Sequence, residues 1–404
     1  MSHYVGPARA LSPAGLGLLL LCGFLPLVPG SSLAGEGDVF SAILDSSLTH
    51  DDNIFRVPDN YNMVAFTGGK ARSDTIRGTG LTLRFDKPIG RQRILLEFKP
   101  QKVRFDRFTF LDHNRNDYTA RLDWQLGNRL SGDLHRVRRQ MLTDFGDFRS
   151  PTRNIRNQID DGLSARWWLH AEWYLTGRLA RIGSENDTAI RRWDDSTTDI
   201  AEAGILYRTG SGNDIGLQLS DTEGDYPLQP RLLYRQRLAQ VNANWRLTGK
   251  STLRGYFGRV EREQPRDPRR NYRGANGRLS WDWAISGKTA LNVSARREIS
   301  AWQDFFSDYV VTDSLSVAPI WKPTEKLGLS LNLEHSKRNY VGELGALFGM
   351  QRRDTLRSAG VTVVWDPWRF LRLSAGLRHE LRDSTNNFYD YKSSSAFLGA
   401  QLSF

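Results

Sequence analysis

The sequence predicts an all-β fold, a transmembrane antiparallel β-barrel of about 18 strands, with 16 to 18 as the range. Three observations lead to this class. Apolar and polar residues alternate strictly in many short segments, the connections between these segments alternate between short and long, and the tryptophans collect beside the short connections. Short turns on one side and longer loops on the other are typical of bacterial outer-membrane barrels.

The alternation is clearest in four segments, 118–126, 239–247, 327–333 and 396–404, where every second residue is apolar. A period of two places the apolar side chains on one face of a strand and the polar side chains on the other. In a soluble sandwich the apolar face would point into a core. These segments are too many and too long for that, and their polar face is rich in arginine. We therefore expect the apolar face to contact lipid and the polar face to line a lumen.

The connections supply the strand count. Short turns are expected at residues 87–90, 127–128, 170–171, 209–213, 248–249, 286–287, 323–324 and 366–367. Longer polar segments lie at residues 49–74, 106–116, 140–157, 183–197, 221–231, 262–271, 300–308, 339–353 and 383–389. Eight short turns and nine long loops join eighteen strands, and both ends of the chain fall on the short-turn side.

The tryptophans give an independent check. Ten of the twelve lie beside short turns, and only Trp193 and Trp302 fall in long loops. Indole is amphipathic and settles at the headgroup level of a membrane, so we predict an aromatic girdle at one interface. The girdle residues share the apolar register and are Trp124, Trp167, Trp173, Trp245, Trp281, Trp283, Trp321 and Trp365. The alternative is that tryptophans stack on sugars, which suits the two in long loops better than the others.

The N-terminal segment is typical of a secretory signal peptide over residues 1–34, followed by the barrel over residues 35–404. Arg9 supplies the positive region, residues 16–28 supply an apolar stretch, and a small-x-small sequence ends at Ala34, where we expect cleavage. A membrane anchor is the alternative, but the apolar stretch is short. Secretion, together with the barrel, predicts a location in the bacterial outer membrane. The net charge of +11 could suggest nucleic-acid binding, but secretion weighs against it.

The polar register defines the predicted lumen. Arginines outnumber acids there, and guanidinium pairs well with carboxylates and phosphates, which favours anions in a pore. Amide groups beside the arginines suit sugar hydroxyls. The residues expected to line the lumen and guide a substrate are Arg121, Asp123, Arg166, Arg178, Glu202, Arg208, Gln240, Asn242, Asn244, Arg246, Arg254, Arg278, Asp282, Arg296, Glu334 and Arg378. Two arrangements stay open, a pore that is open or gated by an inward loop such as 49–74 or 140–157, and a lumen closed by its own salt bridges.

No motif of an enzyme, a metal site or a cofactor site stands out, so we expect no catalysis, no metal and no cofactor. His135 and Ser131 share one face of a strand, but four residues along a strand span about 13 Å, too far for a proton relay. A solvated histidine is the simpler interpretation. Carboxylate pairs can bind Ca²⁺, but without a ligand loop around them solvated charge is favoured. The pairs are Asp51-Asp52, Asp160-Asp161 and Asp194-Asp195.

The stretch from Ser47 to Arg56, with the sequence SLTHDDNIFR, follows the first predicted strand. It resembles the opening of EpsL-type outer-membrane barrels, which are encoded with exopolysaccharide biosynthesis genes, often in bacteria with an exosortase system. The terminal aromatic residue, Phe404, is similar to the signal read by the outer-membrane assembly machinery. The resemblance implies a role in exopolysaccharide production or export, with the polysaccharide and the assembly machinery as partners. It implies no catalytic residues.

The sequence therefore supports one main hypothesis and three alternatives. The main hypothesis is a barrel that assists the biosynthesis or export of an extracellular polysaccharide through an arginine-rich lumen. The alternatives are a general or anion-selective diffusion porin, a non-conducting structural barrel, and an outer-membrane enzyme that modifies polymer or lipid. In each case we expect outer-membrane lipid and lipopolysaccharide to surround the barrel.

Overall fold

A computed structural model describes residues 39–301, 309–341 and 351–404. The predicted signal peptide and Trp302 lie outside these residues. The described chain is mostly antiparallel sheet, and its strands are β1 (Phe40–Asp51), β2 (Asp74–Ile89), β3 (Gln92–Phe105), β4 (His113–Leu126), β5 (Leu130–Leu142), β6 (Ile155–His170), β7 (Trp173–Asn186), β8 (Ser196–Arg208), β9 (Asp214–Asp225), β10 (Tyr234–Thr248), β11 (Ser251–Glu263), β12 (Tyr272–Ala284), β13 (Thr289–Ala301), β14 (Tyr309–Trp321), β15 (Leu327–Val341), β16 (Arg353–Trp368), β17 (Leu371–Ser384) and β18 (Tyr391–Ser403).

The helical elements of the described chain are brief and lie in loops. They are one α-helix, α1 (Met63–Thr67), and 3₁₀ helices at Thr109–Leu111, Ala189–Asp194, Pro230–Leu232, Pro268–Arg270 and Asn387–Tyr389. Asn62 caps α1, because its Oδ1 accepts a hydrogen bond from the Ala65 N–H at 3.1 Å. Within the described ranges, no helix is long and apolar enough to cross a membrane.

The strands form one closed barrel. Each strand pairs with its neighbours in the chain, and β1 pairs with both β2 and β18. The closing pair is antiparallel over nine positions, from Ile43 opposite Ser403 to Asp51 opposite Ser395. The strands of the described chain therefore leave no open sheet edge, which is what a backbone in lipid requires. The predicted barrel and its count of eighteen strands are confirmed.

The connections alternate in length as predicted. At one end of the barrel, short connections of two to five residues join the strands, and the longer loops lie at the other end, called the external end here. Gly90 and Gly127 begin two of the short turns with φ of 60° and 61°. This left-handed conformation is open to glycine without a steric penalty, so these turns reverse the chain within a few residues.

One predicted turn is misplaced. Residues 366–367 belong to β16, which continues to Trp368, and the chain turns at residues 369–370. The pairing of β16 with β17 shifts register between Trp365 and Trp368. Pro367 lies inside this irregularity, where a residue without an N–H is tolerated, so the proline does not mark the turn.

The two faces of the sheet differ as the alternation predicts. Large apolar side chains at every second position are exposed on one face, for example Leu217 and Leu219 on β9. The polar register faces the lumen, because Arg382 in that register of β17 binds Gly146, which lies in the loop after β5. A side chain on β17 can reach a loop that follows the distant strand β5 only if it points into the barrel.

The predicted girdle tryptophans lie near the short-turn ends of their strands, on the apolar face. Four of them are 44 to 50% exposed, namely Trp167, Trp173, Trp321 and Trp365. Trp245 and Trp283 are also exposed, and Trp124 and Trp281 are half-buried. The placement of this ring at a membrane interface stays a prediction.

Candidate functional site, the lumen and its external mouth

Most charged residues predicted to line the lumen have an oppositely charged neighbour. Arg121 lies 2.6 Å from Asp123, and Arg208 lies 2.6 Å from Asp214 on the adjacent strand. The other pairs are Arg178 with Glu202 (3.6 Å), Arg254 with Asp282, Arg296 with Glu334 (3.4 Å), and Arg378 with Glu380. A carboxylate beside each guanidinium cancels much of its field. These arginines therefore attract a passing anion less than their number suggests.

The amides predicted to guide sugars bond to one another. Gln240 Nε2 donates to Asn242 Oδ1 at 2.7 Å, and Asn242 Nδ2 donates to Gln218 Oε1 at 2.7 Å. Gln240 is only 3% exposed. Gln240 therefore belongs to the inner face, where its neighbours in the network cover it. Asn244 lies nearer the short-turn end of β10, opposite Arg254 on β11.

Some inward arginines have no acidic partner among the described residues. They are Arg139 on β5, Arg166 on β6, Arg246 on β10 and Arg278 on β12. The Tyr174 ring lies between Arg166 and Arg208, whose guanidinium carbons are 5.8 and 5.5 Å from its centroid. Arg278 is directly opposite Arg296 on the next strand. Because none of the four forms an ion pair with a described carboxylate, they are the wall groups best placed to attract an anion.

His135 is held by acids on the wall and is not solvated as the sequence suggested. Its Nδ1 lies 2.8 Å from Asp133 Oδ2, and its Nε2 lies 3.8 Å from Asp160 Oδ1. A Cβ at position 162 would come within 2.4 Å of the His135 ring, so Gly162 leaves the space that the imidazole occupies. Ser131 is not among these contacts, so His135 pairs with acids of the barrel wall and does not activate Ser131 as a nucleophile.

The expectation of solvated charge is wrong for Asp51 and Asp194, which are buried in ion pairs. Asp51 bonds Arg56 at 2.8 Å, and the two side chains are 6% and 3% exposed. Asp194 bonds an arginine three residues earlier at 2.9 Å. Residues 160–161 fall on opposite faces of β6 because neighbours on a strand alternate. In the part of the chain that the structure describes, no group of three or more His, Cys, Asp or Glu is placed to hold a metal ion.

The first external loop, between β1 and β2, is anchored beside the closing strands. Arg56 has a φ of 53°, which is uncommon for a residue with a side chain. Its guanidinium is fixed by Asp51 and lies 3.7 Å from Glu380 on β17. Asn53 Nδ2 donates to the Lys392 carbonyl on β18 at 2.8 Å. These contacts with β17 and β18 hold the loop over the inner side of the wall.

Apolar side chains from three loops meet inside the external mouth. Phe55 of the first loop is fully buried, and its ring centroid lies 4.8 Å from that of Phe108 and 4.9 Å from that of Phe145. Leu111 in the same cluster is fully buried too. Burying such a side chain contributes about 1.5–3 kcal/mol. This mouth cluster (Phe55, Phe108, Leu111 and Phe145) therefore ties the three loops into one unit.

The crossing loop, residues 143–154 between β5 and β6, reaches over the lumen to the opposite wall. Arg382 of β17 donates to the Gly146 carbonyl at 2.7 Å and to Asp147 Oδ1 at 2.9 Å. Arg338 of β15 lies 3.5 Å from Asp147. Because β15 is eight strands from β5 in a ring of eighteen, the contact with Arg338 spans the mouth. Both loops that the sequence left open, 49–74 and 140–157, thus fold inward.

Arg382 is the centre of the contact that docks the crossing loop. Its side chain is 1% exposed, and it also donates to Asp354 at 2.8 Å and to the Tyr340 hydroxyl at 2.8 Å. Arg352 binds the same carboxylate at 2.8 Å, and its guanidinium carbon lies 3.3 Å from the Tyr389 ring centroid. Each nitrogen of the Arg382 guanidinium thus has a hydrogen-bond partner, which holds the loop in one position.

Arg149 on the crossing loop differs from these arginines. Its Nη2 donates to the Asp390 carbonyl at 3.2 Å, and its guanidinium carbon lies 5.1 Å from the Phe388 ring centroid. Its Nε and Nη1 are buried and have no hydrogen-bond partner within the described ranges. Burial and the charges of Arg382 and Arg352 lower the pKa of Arg149 to about 10. Arg149 is still protonated at neutral pH, so it places a cation without an acidic partner at the mouth.

Two carboxyls of the crossing loop have opposite environments. Burial and the adjacent Asp147 carboxylate raise the pKa of Asp144 to about 7, against the weaker opposing effects of the Gly146 N–H and Arg56. Burial also favours the neutral form of Asp147, but Arg382 and Arg338 outweigh it and hold the pKa of Asp147 below its ordinary value. At neutral pH the loop therefore carries one fixed negative charge and one carboxyl that titrates.

Sequence reasoning missed the residues that dock the crossing loop. Arg382 shares the polar register of β17 with Arg378, which the sequence predicts to line the lumen, so its inward direction follows from the same alternation. The loop sequence DFGDFR, residues 144–149, alternates charge with aromatic side chains, which is unusual for a solvated loop. That pattern was the available signal for an inward position.

Solved structures of outer-membrane proteins are similar to this chain over 90% of its length. They include OpdK of Pseudomonas aeruginosa (14% identity, 99% of that chain, TM-score 0.51), OccK2 (OpdF) of the same species (14%, 98%, 0.53) and OccAB3 of Acinetobacter baumannii (11%, 99%, 0.50). One structure is of OpdK with vanillate, and one is of OccK2 in complex with glucuronate. No protein-family model and no curated protein matches the sequence.

At these identities the similarity shows a shared fold. It agrees with the predicted outer-membrane barrel. It gives no support to membership of the EpsL-type family, which the stretch SLTHDDNIFR had suggested.

Replacing Arg382 with alanine should release the crossing loop from β17. The change removes the donors to Gly146 and Asp147 and leaves buried carboxylates without their main cation, which is strongly destabilising for such a contact. Single-channel recordings should show larger or noisier steps than the wild type. The control is Arg357→Ala on the outer face of β16, where the partner Asp383 is 3.9 Å away and both side chains are exposed. Unchanged step size in Arg382→Ala, with a folded barrel, would contradict the docking role.

Docking of the crossing loop should weaken as pH rises from about 4 to about 7. Asp144 has its ordinary pKa near 3.8 when undocked and about 7 when docked. The docked state therefore holds an extra proton in that window, and one linked proton changes the equilibrium by at most about tenfold per pH unit. Loop-dependent fluctuations of conductance should be rarer at pH 5 than at pH 7.5. The Asp144→Asn variant should lose this dependence, and the control Asp59→Asn in the first loop should keep it.

Proposed function

We propose that this protein is an outer-membrane diffusion channel that prefers small anions, in particular carboxylates. The observation that carries the proposal is the set of guanidinium groups without acidic partners, Arg149 at the mouth and Arg139, Arg166, Arg246 and Arg278 on the wall. Fixed positive charge on a pore wall favours anions over cations. Guanidinium adds a planar donor pair that matches a carboxylate.

The unpaired arginines are distributed along the length of the lumen. Arg139 lies near the external end of β5, Arg278 lies in the middle of β12, and Arg166 and Arg246 lie towards the short-turn ends of β6 and β10. An anion that leaves one such group is therefore still within the field of another. Several weak sites in series permit conduction, whereas one strong site would trap the solute.

The external mouth favours small solutes over a polymer. The first loop and the crossing loop both fold inward, and the mouth cluster joins them. The similar structures of OpdK with vanillate and OccK2 with glucuronate contain carboxylate-bearing molecules of this size. They support the choice of a carboxylate as the class of solute.

A role in exopolysaccharide export ranks second. The stretch from Ser47 to Arg56 suggested it, but three side chains of this stretch have local contacts that explain them. Asp51 binds Arg56 and Asn53 binds the Lys392 carbonyl, so the motif builds the inward first loop. A shared motif of this kind supports a shared loop structure and does not require a polymer.

Removing the unpaired wall charges should reduce anion preference. The test is the triple variant Arg166→Gln, Arg246→Gln, Arg278→Gln. A unit charge about 10 Å from a permeating anion attracts it by about 0.4 kcal/mol in water, and the variant loses three such attractions. The anion-to-cation permeability ratio should therefore fall roughly fivefold or more at low salt. The measurement is the reversal potential across a planar bilayer with a salt gradient. The matched control changes three outward arginines, Arg235, Arg297 and Arg357, to Gln and should keep the wild-type ratio.

The same bilayer distinguishes the competing functions. Entry of glucuronate should exceed that of glucose in the wild type and should lose this advantage in the triple variant. Large conductance steps that exopolysaccharide blocks and that glucuronate does not change would favour the export conduit. Absence of steps from a folded barrel would favour a structural role and overturn the channel proposal.

A further inference from the structure

The outer face of β2–β5 carries a surplus of positive charge at its external end. Arg77 and Arg104 lie directly opposite each other on β2 and β3, an arrangement of like charges that is destabilising by itself. Lys102 is exposed and makes no ion pair with the described residues. Arg138 on β5 has only an amide partner, Asn157 Oδ1 at 2.7 Å.

Acids compensate only part of this charge. Arg77 lies 3.1 Å from Asp106, Arg104 lies 3.6 Å from Asp112, and Arg136 lies 3.4 Å from Asp161. Lys102 and Arg138 remain as the surplus. On the other side of the barrel several outward arginines have matching acids, namely Arg235 with Asp221, Arg273 with Glu261 (3.6 Å) and Arg297 with Asp313 (2.8 Å).

An apolar groove of about 680 Å³ lies on the same strands, nearer the short-turn end. Its walls include Phe40, Leu83, Leu96 and Phe98, which are 44 to 73% exposed. The Phe40 and Phe85 rings pack with centroids 4.9 Å apart and form one side of the groove. Such a groove on the lipid-facing surface accepts hydrocarbon chains.

The spacing of charge and groove matches an outer-leaflet lipid. On β4, ten residues separate Trp124 in the predicted girdle from Asn114, which pairs with Lys102. That is about 33 Å along the strand and about 25 Å along the membrane normal at a tilt near 40°, equal to the usual apolar height of such barrels. Phe98 lies four residues below Lys102, about 10 Å deeper. Lys102 is thus at the headgroup level and the groove is among the acyl chains.

We propose that the outer face of β1–β5 binds one molecule of phosphorylated, multiply acylated lipid, the lipid A part of lipopolysaccharide. A phosphate placed among Arg77, Lys102 and Arg104 relieves the repulsion between the opposed arginines and accepts guanidinium hydrogen bonds. The acyl chains lie along the groove lined by Phe40, Leu83, Leu96 and Phe98. The site is separate from the lumen and does not depend on the proposed channel function.

The test is native mass spectrometry of the full barrel, purified from outer membranes in detergent and titrated with lipid A bearing two phosphates. We expect one lipid per barrel at low lipid concentration. Arg77→Glu with Lys102→Glu should weaken binding roughly tenfold or more, since each basic group near a lipid surface contributes measurably. Phe98→Ala should weaken it as well, through the groove. The control pair Arg297→Glu with Arg357→Glu should bind as the wild type does.

Two further probes keep the lipid distinct from other anions. Dephosphorylated lipid A should bind more weakly by a similar factor, and inorganic phosphate at millimolar concentration should not displace the lipid. Equal losses in the site variant and the control pair would overturn the proposal, because they would show general attraction of lipid to charge. Displacement of the lipid by inorganic phosphate would overturn the proposal, because it would show a site for any anion. Full binding of the lipid by Phe98→Ala would also overturn it, because it would show that the groove does not contact the acyl chains. Heat-modifiable gel mobility confirms that each variant is folded.

Discussion

Closure of the sheet by β1 and β18 is the constraint on which the other features depend. Hydrocarbon offers no hydrogen bonds to a backbone, so each strand needs a neighbour on both sides. The closing pair also sets the mouth. It brings the end of β1 beside β17 and β18, where Arg56 binds Asp51 and approaches Glu380 to 3.7 Å. The inward turn of the first loop, with the positive φ of Arg56, is held by residues that meet only because the ring is closed.

The charges inside the barrel divide into two groups with different consequences. Pairs such as Arg208 with Asp214 on neighbouring strands leave little net field in the lumen. Arginines without an acid, such as Arg246 and Arg278, retain their field because the wall around them offers no carboxylate. The excess of arginine in the composition therefore overstates the positive potential of the pore. What matters for a permeating ion is the small set that remains after pairing.

The sequence was sufficient for the barrel because alternation is a local property. Each strand reveals its two faces within about ten residues, and the turns reveal the count. The loops were not accessible in this way. Arg382 and Asp147 are 235 positions apart in the chain, and no local pattern links them. The same limit explains why the sequence does not show that Gln240 is covered by an amide network, since Gln218 lies on another strand.

The crossing loop determines both the width of the mouth and the positive charge there. Asp147 provides the contact with Arg382 and Arg338 that holds the loop over the lumen, and Arg149, two residues later, places an unpaired guanidinium there. Because both residues are on one short segment, the position that narrows the channel is also the position that brings the cation to the mouth. Size exclusion and attraction of anions are thus properties of the same docked state. A barrel wall alone, with most of its arginines paired, would supply neither to the same degree.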